Sequence, residues 1–206
     1  PLALKRYVRS HDLSRDEHYQ EVQAMMDVPN FIDYQISEVF FATTDNGNIR
    51  RWRDSSPEGK WRWILYDLDW GFRKAGHTTL SRVTNPRGTG AMNMFSTAIM
   101  TALLKNADFR KSFTERFAYH LNTTFEPQRV ITMIDELAAP IRSEIPRHMK
   151  RWRGSPRGGS PRLWENRLQT LREFAVNRPP VVKRHVKKFF GLSDSEMALL
   201  FEPPAP

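Results

Sequence analysis

Apolar positions keep helical phase over most of this chain and strand phase over two short stretches. After Asn30, residues Phe31, Ile32, Gln35, Ile36, Val39 and Phe40 recur at spacings of three and four, the period of a helix. Pro29 stands just before them, and Asn30 with Asp33 resembles a capping box that opens the helix. Asp45-Asn46-Gly47-Asn48 is turn chemistry and closes it. Two strands are expected next, Ile49 to Arg53 and Trp61 to Asp67, the second rich in aromatic and branched residues. Asp54 to Gly59 joins them as a hairpin loop. Arg73 to Gly90 reads as a long irregular loop, a length usually tied to function or mobility.

Beyond Ala91 the pattern is helical. Met94 to Lys105 forms one amphipathic helix, and Asp108 to Asn122 a second with Phe109, Phe113, Phe117 and Leu121 on one face. Pro127 opens a third, carrying Val130, Ile131, Ile134, Leu137, Ile141 and Ile145, with Pro140 and Pro146 as places to kink. Arg162 to Asn177 and Pro179 to Phe190 read as two helices split by proline, and Ser193 to Phe201 as a short last one. The polar stretch from Pro1 to Met26 has room for one short helix. The fold class expected is α+β, mostly helical, with one short hairpin.

Composition narrows the classes open to it. The chain has 206 residues, 39% of them apolar, too many for a disordered chain. It has no cysteine, which excludes disulfides, thiolate metal sites and a cysteine nucleophile. No apolar run is long enough to span a membrane. The chain starts at Pro1 without methionine and reads as an excised segment. Residues 202–206, Glu-Pro-Pro-Ala-Pro, read as a linker after a domain of residues 1–201.

The formal net charge is +9. Between Arg142 and Arg167 eight basic residues face two acids, so an eighth of the chain carries a net +6. The segment is either a solvated surface, a site for an acidic peptide or phosphate, or a nucleic-acid surface in which Arg151-Trp152-Arg153 combines charge and stacking. No nucleic-acid motif accompanies it, so nucleic acid is not the expected partner. The six histidines do not group in the sequence, and no His-x-x-x-His pair occurs.

Candidate chemistry lies around the hairpin. Asp45 and Asn48 sit in the turn before it, and Asp67 and Asp69 at its far end, so a hairpin brings the two ends together. Were the second strand extended through residue 69, the two carboxylates would share one face. Three carboxylates and a carboxamide make a hard oxygen site suited to Mg²⁺ or Mn²⁺ bound with phosphates. Protein kinases use an Asp as base, an Asn on one metal ion and a later Asp on the metals. The same residues also read as a plain turn and a strand end, and the residues alone leave both open. Trp52, Trp61, Trp63 and Trp70 are placed to stack on a nucleotide or, more simply, to fill the core under the hairpin.

The run Lys60-Trp-Arg-Trp-Ile-Leu-Tyr-Asp-Leu-Asp-Trp-Gly-Phe72 resembles the CotH kinase family, named for spore-coat protein H. So do Asn30 to Ile36, Asp45 to Trp52, Asn106 to Phe109 and Leu171 to Arg178, among other stretches covering nearly the whole chain. The resemblance implies an atypical protein kinase whose fold here is a kinase-like C-lobe with the hairpin carrying the acidic site. It implies ATP and Mg²⁺ or Mn²⁺ as cofactors and transfer of phosphate to serine of a coat or surface protein. It also implies an extracytoplasmic setting, spore coat or cell surface. Asp45 matches the catalytic Asp; Asn48, Asp67 and Asp69 match the metal- and nucleotide-binding positions, with Asp69 placed ahead of Asp67. The basic Arg142–Arg167 segment is then a docking surface for the protein substrate. Two departures stand out. Only Asn46 and Gly47 separate Asp45 from Asn48, a shorter turn than the family's usual one. Lys5 and Lys60, the only lysines before Lys74, lie in no context of a phosphate-gripping N-lobe. Both departures keep a second class open, a non-catalytic surface adhesin or scaffold on a kinase-like fold.

Overall fold

The computed structural model describes residues 2–44, 48–85, 94–153 and 159–201. Among these residues the elements run α1 (Leu2–Ser10), α2 (Asp16–Met25), α3 (Val28–Phe41), β1 (Arg50–Trp52), β2 (Arg62–Ile64), α4 (Thr79–Thr84), α5 (Met94–Leu103), α6 (Ala107–Asn122), α7 (Pro127–Arg142), α8 (Ile145–Arg151), α9 (Pro161–Phe190) and α10 (Asp194–Phe201), the two strands forming one ribbon. The class is therefore α+β and mostly helical, as the pattern indicates. None of these helices is long and apolar enough to cross a membrane.

Helix α3 is the central rod. Phe31, Ile32, Ile36, Val39 and Phe40 are buried on it, and it meets β2, α4, α6 and α9. Its start lies two residues before the expected one. Asp27 is the cap and accepts from the Asn30 backbone N–H at 3.0 Å, with Pro29 in the first turn, so the Asn30/Asp33 capping box does not form. Asp33 instead accepts from Arg116 Nε at 2.7 Å and pairs with His120 Nε2 at 2.8 Å, tying α3 to α6. Asn30 turns its amide onto β2: Trp63 N–H donates to its Oδ1 at 2.7 Å, and its Nδ2 donates to the Trp63 carbonyl at 3.2 Å.

The ribbon is shorter than the sequence pattern predicts. It pairs Arg50 with Ile64, Arg51 with Trp63 and Trp52 with Arg62. Trp61 leaves it to bridge Met26, its N–H donating to Met25 O while its carbonyl accepts from Asp27. Trp63 is the anchor. It is 3% exposed, packs on Phe31 and Phe95, and donates its indole N–H to Ser96 at 3.0 Å. Trp61 also packs on the core, whereas Trp52 and Trp70 are exposed, so core packing accounts for only two of the four tryptophans near the acids.

Several boundaries differ from expectation for identifiable reasons. Residues 1–26 hold two helices, because Leu4, Val8, Leu13, Tyr19 and Val22 all find the core. Their turn stacks Tyr7 on His11 and sets the His11 and His18 rings 4.8 Å apart, so two of the six histidines do group in space. Helix α4 occupies a portion of the supposed loop after Arg73, held by buried Thr79, Leu80 and Val83. The third long helix divides into α7 and α8 at Ser143–Glu144, and Pro146 lies in the first turn of α8 rather than at a kink. Helix α9 runs unbroken through Pro179 and Pro180. Phe174, Ala175, Arg178, Val182 and Val186 stay buried in one helical phase across the prolines, and that continuous burial outweighs the local cost.

Candidate functional site

The chain leaving β2 does not stay extended. Asp67 has φ +56°, and Gly71 N–H closes a turn onto Leu68 O at 2.8 Å. The next N–H, of Phe72, donates to Phe41 O at the end of α3 at 2.9 Å. A Cβ at position 71 would lie 3.0 Å from both Leu68 O and Phe41 O, so a side chain there requires one of those backbones to give by a few tenths of an ångström. The Phe72 ring then enters an aromatic box with Phe40, Phe41 and Phe174.

One buried cation holds this segment from behind. Arg178 is 0% exposed and has no carboxylate partner among the described residues. Its Nε donates to Phe40 O at 3.0 Å and its Nη2 to Val39 O, two carbonyls in the last turn of α3, of which Val39 O also accepts from Ala42 N–H at 3.3 Å. Its Nη1 donates to Ala75 O and, at 2.7 Å, to His77 O, both further along the segment that follows Asp67. Burial pushes its pKa down to about 10, so the guanidinium remains charged at neutral pH. Arg82 acts in a similar way on the chain leaving α3, donating to Thr43 O. Sequence reasoning about the site picks out neither arginine. Position 178 carries a readable signal nonetheless, since it is a charged residue in phase with the apolar face of α9.

The four expected site residues separate. Asp45 lies outside the described residues. Asn48, at the entry to β1, donates its Nδ2 to Asp67 Oδ2 at 2.5 Å, which joins the two ends of the ribbon as the hairpin argument requires. Both side chains are exposed. Asp69 is not on the same face as Asp67, because the positive φ at Asp67 and the following turn remove the extended geometry that would align them. It lines a separate cleft of about 650 Å³ between this turn and α9, opposite Trp164, Arg167 and Leu168.

Asp67 and Asn48 supply oxygen donors on an accessible surface, the chemistry a magnesium or manganese ion takes. Among the described residues no three His, Asp or Glu side chains come together as a metal-ligating group. The donor type fits the ion, and Asn48 and Asp67 are the described residues that would hold it.

In the basic segment, Arg142 pairs with Glu165 and Arg147 with Glu144 at 3.6 Å, while Arg151 lies over Trp152. Arg157 lies outside the described residues. The segment is thus partly neutralised locally.

A helical domain with one ribbon whose two ends meet through a carboxylate and a carboxamide is the class this structure defines. The family model described as CotH kinase protein matches residues 3–182, and the chain belongs to that family. Neither the curated proteins nor the solved structures provide a match.

Proposed function

We propose that this chain carries the catalytic half of an ATP-dependent protein serine kinase, with residues 1–201 corresponding to a kinase-like C-lobe. The observation that supports it most is the Asn48–Asp67 contact. It links two residues nineteen apart at the positions where the family resemblance puts nucleotide and metal binding. In this reading Asp45 accepts the proton of the serine hydroxyl. Asn48 and Asp67 hold Mg²⁺ or Mn²⁺, and Asp67 is preferred to Asp69 because its carboxylate is the one that meets Asn48. The bound ion supplies charge neutralisation for the phosphates of ATP. Asn48 orients the Asp67 carboxylate, and Arg178 with Gly71 and Phe72 keeps that carboxylate's loop in place. The described residues include no β-rich lobe with a phosphate-gripping lysine. A coat or surface protein as substrate, and an extracytoplasmic location, follow from the same family reading.

The test is transfer of radiolabelled phosphate from ATP by the full-length protein with Mg²⁺ or Mn²⁺. Asp45→Asn and Asp67→Asn should each lower the rate by about 10²–10⁴-fold, the usual worth of a positioned base or metal ligand. Asp69→Asn should cost much less. Equal labelling by wild type, Asp45→Asn and Asp67→Asn removes the kinase assignment and favours a scaffold.

A further inference from the structure

We propose that the cleft between the turn after β2 and helix α9 binds the substrate polypeptide, and that it selects an anionic stretch beside the acceptor serine. The inference rests on the kinase reading of the neighbouring Asn48–Asp67 pair. One wall of the cleft is formed by Asp69, Phe72 and Arg73, the other by Trp164, Arg167 and Leu168. Its volume of about 650 Å³ accommodates a few side chains of an extended peptide.

Charge decides what it takes. Arg73 lies over the Trp70 ring at 4.2 Å, and Arg167 is exposed on α9. Neither forms an ion pair among the described residues, whereas their neighbours Arg142 and Arg172 are satisfied by Glu165 and Asp135. Two guanidiniums presented with free donors fit carboxylate or phosphate groups. Phe72, Trp164 and Leu168 give the floor apolar contact for the intervening side chains. The cleft begins at Asp69, two residues and therefore at most roughly 7 Å of chain from Asp67. A peptide whose anionic residue sits on Arg73 and Arg167 extends at roughly 3.3–3.6 Å per residue, so the serine offered to the Asn48–Asp67 pair is one a few residues along it rather than the adjacent one. A nucleic acid fits less well. Its phosphates would need a continuous row of cations, and this cleft offers two, with Asp69 in the same wall.

The proposal is tested without nucleotide, by fluorescence anisotropy of the full chain with a short labelled peptide carrying one serine among glutamates and leucines. Glutamine- and lysine-substituted versions and a labelled single-stranded oligonucleotide serve as comparisons. The acidic peptide should bind about tenfold tighter than the glutamine version, the value of one or two charge-assisted contacts. Arg73→Ala and Arg167→Ala should each weaken it by about fivefold or more, Arg167→Lys by less, and Arg162→Ala, which does not line the cleft, not at all. Equal affinity for acidic and neutral peptides, indifference to Arg73→Ala and Arg167→Ala, or tighter binding of the oligonucleotide overturns it. Binding is read independently of phosphate transfer. An inactive protein that still prefers the acidic peptide argues against the kinase and not the cleft, and an active one without that preference argues the reverse.

Discussion

Arg178 is fully buried and donates to four backbone carbonyls from two separate segments. A buried cation ordinarily needs an anion, because desolvation costs several kcal/mol. Here carbonyl oxygens of Val39, Phe40, Ala75 and His77 take that place, two of them at the negative end of α3. Removing the guanidinium leaves the Phe40, Ala75 and His77 carbonyls without this donor, Val39 O keeping the long bond from Ala42 N–H at 3.3 Å, and frees both the end of α3 and the segment that follows Asp67. Arg178→Met should therefore lower stability by about 3–5 kcal/mol, read from urea denaturation. Arg178→Lys should recover less than half of the loss, since one ammonium cannot span the positions a planar fork reaches. A loss below about 1 kcal/mol for Arg178→Met would show that water or local rearrangement satisfies the carbonyls.

At the scale of elements, α3 and α9 form the frame on which the site segments hang. The ribbon is too short to be stable alone and relies on Trp63 buried against α3 and α5. Helix α9 keeps its phase through two prolines at a cost. Pro180 is exposed, lacks the N–H that would bond the Val176 carbonyl, and sits in a helix interior. Pro180→Ala should restore that bond and raise stability by about 1–3 kcal/mol, visible as a higher denaturant midpoint. No change would mean that the backbone around the prolines has already relaxed.

Over the whole molecule, two half-buried histidines and one paired carboxylate set the response to acid. His77 and His185 are both held below the ordinary histidine range, by burial first and then by nearby cations, Arg82 beside His77 and Arg178 beside both. Their unfolded forms take protons from about pH 6.5 downward while the native forms do not, so stability falls as pH drops through that window. Burial would raise the Asp33 pKa, but hydrogen bonds and charge from Arg116 and His120 outweigh it and hold the carboxyl below its usual value. Its contribution is complete above the ordinary carboxylate range and is lost as pH falls through the lower native value. Melting temperature should thus fall in two stages, one below about pH 6.5 and one below about pH 4. Asp33→Asn should flatten the second stage more than Asp54→Asn does, because Asp54 is exposed and its interactions are local to its own loop. Equal flattening would remove Asp33 from that role.

Read alone, the amino-acid sequence fixes most of the helical periods, the aromatic ribbon and the family to which they belong. These are local matters, set by spacing, turn residues and short motifs within a few residues of one another. The meeting of Asn48 and Asp67 was legible because a hairpin joins its ends by construction. Which tryptophans are core, that α9 survives its prolines, and that Asp67 and Asp69 face different ways were settled by long-range packing. Each of those depends on a partner far away in the chain. Phe41 receives Phe72 and so turns the Asp67–Phe72 segment, the packed face of α9 holds Pro179 in helix, and Asn30 draws Trp63 inward. Arg178 shows the limit most clearly. A charge on an apolar helix face announces burial, but the carbonyls it binds lie about a hundred residues or more away and carry no side-chain code.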